Sequence, residues 1–566
     1  MAHGTRLEAN LRALAEAGSS GLAERLCLPV DAHHVTAGAD GRLLLRVHET
    51  LLPLELSTAE RQAAMASAGL GGGETGPIFL FGAGAGELVS EALASAAKRI
   101  TVFEPDPWML RLTLAHEDFR RPIAEGRLAF LLGGDFFAAR ATIADPAVRM
   151  VFHPVLGRVY RHERRWLDEK PRGPVALVCA GGLFVDDLAD ALGAEGYAVW
   201  VFAANRLALE ELTHTVKCTQ PTLLAAINHT EGLAEFCAGF GLPYLCWEID
   251  PSLVRLEEVA TPVPTTRIFT YRRAHVTDFE RAGFPHAEYL PLATNPNRRT
   301  RATAPTEHEV ANYRAPIAFV GASMRDRVAM LSDDFVAGYL AYQKGSGDDA
   351  RAEARALLED LLADQRRDFS RYVIPAHFER RAPGFFAASK QPGALDAEQV
   401  VGELAAGEKR RNYVASLGAF GVHVWGDRGW QGVDGGARYR GAAGHFVELN
   451  KVYAHAAINV DIGRLYQMDI VTMRVFDVLA CGGFLLAEDG PALRELFEVG
   501  VHLDVYATRD ELCDKAAYYL ARPELAARIA QAGHAWVLAR HTVQQRVRRM
   551  LAASGLSERG DRAERA

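Results

Sequence analysis

The stretch Asp469-Ile-Val-Thr-Met-Arg-Val-Phe-Asp477, continuing as Val-Leu-Ala-Cys-Gly-Gly-Phe-Leu-Leu-Ala-Glu488, decides how this chain is read. Residues 470–480 have helical character, which sets Arg474 and Asp477 on one face and leaves Asp469 near the N-terminal end. A carboxylate can accept both hydroxyls of a ribose, and a guanidinium can fork onto a diphosphate. Gly482 and Gly483 then end the helix and let backbone come close to a ligand. Phe484 to Ala487 has the apolar run of a short buried strand. An ordinary amphipathic helix with a salt-bridging arginine and a glycine cap would look the same in isolation, so the surrounding sequence has to separate the two.

Outward from that stretch the chain carries a series of ordered pieces. Ile227-Asn-His-Thr-Glu-Gly232 is followed by Gly241-Leu-Pro-Tyr-Leu-Cys-Trp-Glu-Ile-Asp250-Pro251, a strand ending in a tryptophan and an acidic turn. Then come Ile268-Phe-Thr-Tyr271, Gly283-Phe-Pro, and Tyr289-Leu-Pro-Leu-Ala-Thr-Asn295-Pro296. Pro316-Ile-Ala-Phe-Val-Gly321 and Val422-His-Val-Trp-Gly426 read as strands of a later sheet, and His541-Thr-Val-Gln-Gln-Arg546 closes the series. From about Val175 to Leu551 these pieces resemble the CgeB-type spore-maturation proteins, which are glycosyltransferase-like. That resemblance implies an α/β fold of GT-B architecture, two Rossmann-like halves, and transfer of a sugar from a nucleotide-sugar donor to a glycan, surface polysaccharide or protein acceptor.

The resemblance also implies roles for particular residues. A wider set of GT-B enzymes carries a Glu, seven residues and a second Glu where this chain has Asp469 and Asp477, so this is an Asp version of the pair. Asp477 matches the position that holds the ribose and Asp469 the one near the donor sugar; the shorter side chains leave a UDP-, GDP- or dTDP-sugar equally open. Arg474 matches a frequent family arginine suited to a diphosphate, and Lys451 is a second cation, though a lysine on a helix face is more often solvated. For an inverting transfer the acceptor half supplies a base. His229 at the end of Leu223–Ile227 is the first candidate, followed by the turn acids Glu248 and Asp250; each would equally suit a loop-holding hydrogen bond or a turn cap. GT-B enzymes hold the leaving diphosphate with cations and helix N-termini, so no metal is expected.

The first 170 residues form a separate case. Ile78-Phe-Leu-Phe-Gly82-Ala-Gly84-Ala-Gly86 is a strand running into a glycine-rich turn, and Ile100-Thr-Val-Phe-Glu104 is a second strand ending in an acid. A Rossmann-like unit places a nucleotide on such a turn, with the acid about 20 residues on holding ribose hydroxyls. Leu128 to Asp135 would add a third strand, with Asp135 near an adenine. This resembles the front half of an S-adenosylmethionine methyltransferase, and also the Rossmann-like segment beside some flagellin-modification glycosyltransferases. Against a working methyltransferase, the strand near Val148–His153 lacks an acid, and only about 20 residues precede the next strand at Val175. A degenerate domain that packs or docks acceptor fits better.

With 566 residues and 49% apolar residues the chain can hold several cores. A net charge of −8 argues against a nucleic-acid surface. Arg161, Arg164 and Arg165 form a local basic patch, read as a solvated face before the Pro171–Pro174 linker. Seven scattered cysteines without a C-x-x-C pair suit a reducing compartment, and no metal cluster is visible. No apolar run approaches the roughly 20 residues a bilayer needs, so membrane insertion is not expected and a cytoplasmic location is. The expected domains are 1–170 (Rossmann-like), 171–305 (acceptor half), 306–552 (donor half, with a helical insertion at about 333–415) and a disordered tail 553–566. A catalytically inactive GT-B scaffold or nucleotide-binding interaction protein, and a bifunctional methyltransferase-glycosyltransferase, are the alternatives; the first keeps the fold and binds a nucleotide or protein partner without turnover, the second adds S-adenosylmethionine binding.

Overall fold

The computed structural model describes residues 2–47, 50–70, 76–301, 306–445 and 447–556. Residues 71–75, 302–305 and most of the expected tail, 557–566, lie outside the described residues. The chain is an α/β protein with three parallel sheets, the multidomain Rossmann-like class indicated by its sequence. By compactness it forms two units, residues 1–185 with 196–225, and residues 186–195 with 226–566.

The first unit opens with helix Ala2–Glu16 and a three-stranded meander, β1 (Val35–Ala37), β2 (Leu43–Val47) and β3 (Thr50–Pro53). The β1–β2 turn at Gly38–Gly41 is closed by the Gly38 N–H on the Arg42 carbonyl at 2.8 Å. Next comes a parallel sheet of β4 (Ile78–Phe81), β5 (Ile100–Glu104), β6 (Leu128–Leu132) and β7 (Arg149–Phe152), in the order β6-β5-β4-β7. Helix Asp135–Ile143, which follows β6, turns Phe136 and Phe137 onto Trp200 and Trp166, with ring centroids 5.6 and 4.8 Å apart. Burying each such ring is worth about 1.5–3 kcal/mol, enough to draw the next two strands and helix Leu209–Thr219 into this unit.

Those strands, β8 (Val175–Cys179) and β9 (Ala198–Phe202), share a six-stranded sheet with β10 (Leu223–Ile227), β11 (Tyr244–Glu248), β12 (Thr266–Thr270) and β13 (Ala287–Tyr289), ordered β13-β12-β11-β10-β8-β9. The division between units falls within β10. The last sheet, of the second unit, holds β14 (Ala315–Val320), β15 (Val422–Trp425), β16 (Arg438–Tyr439), β17 (Ala456–Val460), β18 (Leu485–Glu488) and β19 (Asp504–Tyr506), in the order β16-β15-β14-β17-β18-β19. The chain therefore winds outward from β14 to β16, then crosses back to β17. That reversal sits at the carboxyl ends of β14 and β17, the kind of position where α/β sheets take their ligands.

Between β14 and β15 runs the expected helical insertion, with main helices Arg325–Gln343, Asp348–Arg366, Ile374–Arg381 and Ala397–Ser416. It has a core of its own, including Leu331, Phe335, Leu361, Phe378 and Leu404. The helix expected over 470–480 begins at Met473, because Thr472 is extended (φ −68°, ψ 154°) and gives its hydroxyl to Asp461 at 2.9 Å in place of capping its own helix. Among the described residues no helix is long and apolar enough to cross a membrane.

Candidate functional site

An open cleft lies at the carboxyl ends of β17 and β18. Its floor is two carboxylates. Asp461, one residue past β17, accepts from Thr472 Oγ1 and from the Arg474 guanidinium. Glu488, the last residue of β18, accepts from the Gly463 N–H at 2.9 Å and from Lys409, whose ammonium group is wholly enclosed. Burial pushes the Glu488 carboxyl above its ordinary range, and Lys409 pulls the other way. Arg464, Gln467 and Thr472 line the walls with the apolar Val471, Val475 and Leu493.

Helix Met473–Ala480 starts at this cleft without a side-chain cap. The Val475 N–H of its first turn donates to the Thr472 carbonyl at 3.1 Å, and the helix N-terminus carries the positive end of the helix dipole, which suits an anion. The Arg464 side chain is 30% exposed, and its charge is favoured by Tyr466, Glu403, Tyr271 and Asp250 although burial opposes it. A cation and a helix N-terminus at one cleft are the groups an anion pairs with.

The residues singled out from the sequence are distributed differently. Arg474 is on the cleft side but committed: it holds Asp461 and donates to the Val320 carbonyl at 2.9 Å. Asp469 pairs with Arg272 at 3.2 Å and, like Asp477, does not line the cleft. Asp477 is on the other face of its helix, accepting from Thr294 Oγ1 at 2.9 Å and Arg299 Nε at 2.8 Å. Gly482 and Gly483 sit at the far end of the helix, about 12 Å along its axis from the first turn. Gly483 is there for packing, since a Cβ on it would lie 2.4 Å from the Tyr453 carbonyl oxygen. Lys451 bridges to Glu309 at 2.7 Å, on the neighbouring helix.

His229, Glu248 and Asp250 do come together, at the carboxyl ends of β10 and β11. The His229 N–H donates to the Glu248 carboxylate, and the His229 ring stands edge-on to Phe284 with its Nδ1 buried and without a partner. Burial lowers the His229 pKa, which favours the neutral ring. Burial pushes Glu248 up to about 7. Asp250 alone of the three is exposed, and the Asn228 amide holds it at 3.1 Å.

In the first unit Gly82, Gly84 and Gly86 take the left-handed conformations a glycine-rich turn requires. The turn is filled from within: a Cβ on Gly84 would lie 2.5 Å from His153 Nε2. Glu104 is fully buried and accepts from the Ala83 N–H at 2.9 Å, and burial pushes its carboxyl up to about 8. Asp135 is held by Arg25 and His214. Sequence reading found no metal cluster, yet the fold brings Asp135, His214 and Cys218 together.

The cleft residues that sequence reading missed are Asp461, Arg464, Gln467, Thr472 and Glu488, with Lys409 holding Glu488 from behind. Lys409 and Glu488 are far apart in sequence and only the fold pairs them. Thr472 had a local signal, a hydroxyl residue just ahead of an apolar helix.

Residues 409–552 match the model of a family described as glycosyl transferase-like. No curated protein matches the chain. Similar solved structures include sucrose-phosphate synthase from Thermosynechococcus elongatus, at 14% identity, covering 68% of this chain and 98% of that one, TM-score 0.36. A glycosyltransferase from Rickettsia africae shows 10% identity, 68% and 99% coverage, and a TM-score of 0.37. Anabaena HepE in complex with UDP shows 12% identity, 68% and 100% coverage, and a TM-score of 0.38.

Proposed function

We propose that the chain is a glycosyltransferase of the CgeB type that moves a hexose from a nucleotide-sugar donor to an acceptor hydroxyl. One observation carries the reading: the glycosyl transferase-like match, residues 409–552, begins at Lys409 and contains every residue that lines the cleft. Residues 306–552 are the donor half and 171–305 the acceptor half, with residues 1–170 as an accessory Rossmann-like domain.

In this reading the diphosphate of a UDP-, GDP- or dTDP-sugar sits on the first turn of helix Met473–Ala480 under Arg464, which neutralise its charge without a metal. The acceptor oxygen attacks the anomeric carbon, the bond from that carbon to the phosphate oxygen breaks, and its electron pair leaves with the diphosphate. Asp250 takes the acceptor proton. What favours it over His229 and Glu248 is exposure together with the field of Arg464. The acceptor is a glycan or a protein, and the cysteines, none of them in a disulfide among the described residues, suit a cytoplasmic setting.

The test is nucleotide release from a panel of UDP-, GDP-, dTDP- and CMP-sugars, with and without cell extract as acceptor, for wild type, Arg464→Ala and Asp250→Asn. Loss of one charge-assisted contact, about 1.5–3 kcal/mol, predicts a drop of roughly 10- to 100-fold in kcat/KM for Arg464→Ala. Asp250→Asn should lower kcat with donor affinity retained. Absence of release and of any thermal shift with every donor would overturn the reading.

A further inference from the structure

In the first unit, β6 ends at Leu132 and Gly133-Gly134 turns the chain so that Asp135 starts the next helix. Helix Leu209–Thr219 carries His214 and Cys218 one turn apart on one face. Gly134 lets the two helices close, since a Cβ there would lie 3.0 Å from Thr215 Cα and 3.3 Å from Cys218 Cβ. Asp135 Oδ1 is 2.6 Å from His214 Nε2, and Cys218 Sγ is 3.3 Å from the same nitrogen.

That convergence is unlike a proton relay, in which the acid and the thiol use opposite nitrogens of the ring. A single imidazole nitrogen carries either a proton or a lone pair, so it can donate to the carboxylate or accept from the thiol but cannot do both. A cation at the meeting point satisfies all three groups at once. The surroundings orient them for it. Asp135 Oδ2 accepts from the Leu132 N–H at 3.0 Å and from Arg25, and Arg25 is itself held by Glu211 at 3.1 Å. This leaves Oδ1 directed at the other two groups, as partners behind metal ligands do.

We infer that Asp135, His214 and Cys218 form a site for one transition-metal ion, zinc by its ligand chemistry, with a fourth position left for water. The three ligand atoms lie within 4.8 Å of one another. Ligand bonds of about 2.0–2.3 Å would set them roughly 3.2–3.8 Å apart, so Asp135 and His214 separate by about 1 Å on loading. Thiolate and imidazole together select zinc over magnesium or calcium. Burial, and Asp135 after it, push the Cys218 thiol up, so binding displaces that proton to solvent. The site clamps two helices of the first unit and stands apart from the transferase reading, so the failure of one leaves the other intact.

Cobalt titration of the chelator-stripped full chain tests this, with thiolate-to-cobalt absorption as the signal and zinc content measured by atomic emission. Expected is saturation at about one ion per chain, displacement of cobalt by zinc, and a tetrahedral spectrum. Cys218→Ser should abolish the thiolate band, and Arg25→Gln should weaken binding about 10- to 100-fold. Cys27→Ser, at an exposed cysteine, should change nothing. Absence of a thiolate band with the wild-type chain, which needs no variant to fold, or a band that survives Cys218→Ser, would overturn the inference.

Discussion

Arg299 and Asp477 form an ion pair in which each side chain is only 6% exposed, with Nε and Oδ2 2.8 Å apart. Arg299 also donates to the His445 carbonyl at 2.6 Å, and Thr294 completes the carboxylate. The pair pins the segment after β13 to the helix behind the cleft.

Asp477→Ala should therefore act on stability first. It strands a buried guanidinium, which costs about 3–5 kcal/mol. Equilibrium denaturation should show this loss, and Arg299→Met with Asp477→Leu should recover most of it. An Asp477→Ala protein as stable as wild type, yet unable to bind donor, would reassign Asp477 to the ligand.

Lys409 and Glu488 make a second enclosed pair, this one in the cleft floor. Lys409→Met leaves the carboxylate buried without its cation and should destabilise by about 3–5 kcal/mol. Adding Glu488→Gln should restore much of the stability but leave nucleotide release impaired. Thermal unfolding read beside release separates the two effects.

Glu248 makes stability depend on pH. It is buried with a pKa of about 7 when folded against 4.5 as its ordinary value. Between those values the folded chain binds the extra proton, so stability falls as pH rises through that window and stays lower above it, by roughly 3 kcal/mol. Denaturation midpoints at pH 5 and pH 8 should differ less in Glu248→Gln than in wild type. Equal differences would assign the effect to other buried acids.

At Gly84, φ is +60° and the His153 ring occupies the space of a side chain. Gly84→Ala should cost upward of about 1 kcal/mol. Because that ring and the inward-turned Glu104 fill the turn, calorimetry with S-adenosylmethionine should give no heat. Measurable binding would show that His153 swings out.

The periodic and punctuated parts of this fold are legible in its sequence. The strand-glycine-helix at Ile78–Gly86, the helix ahead of Gly482 and the helical insertion all announce themselves through apolar spacing and chain-reversing residues. The placement of His229, Glu248 and Asp250 at one sheet edge is also legible, because adjacent parallel strands bring their ends together. Partner choice is less so. Arg474 and Asp477 share a helix and were expected at one ligand, yet Arg474 goes to Asp461 and Asp477 to Arg299, on different sides. Spacing along a helix gives the angle between two side chains but says nothing of what faces each one. The Lys409–Glu488 floor and the Asp135, His214 and Cys218 cluster depend on residues far apart in sequence, which no local pattern encodes.

The helical insertion looks like an appendage, since it interrupts a sheet and has a core of its own. Its last helix nevertheless supplies Lys409 to the cleft floor, and just before that helix Asp396 holds Arg255 at 3.0 Å, five residues beyond Asp250. Excising it would take away the cation that holds the cleft floor and the brace of the Asp250 turn together. Variation within it should then tune which substrates are accepted, and a shortened chain meant to keep the catalytic core must keep this segment as well.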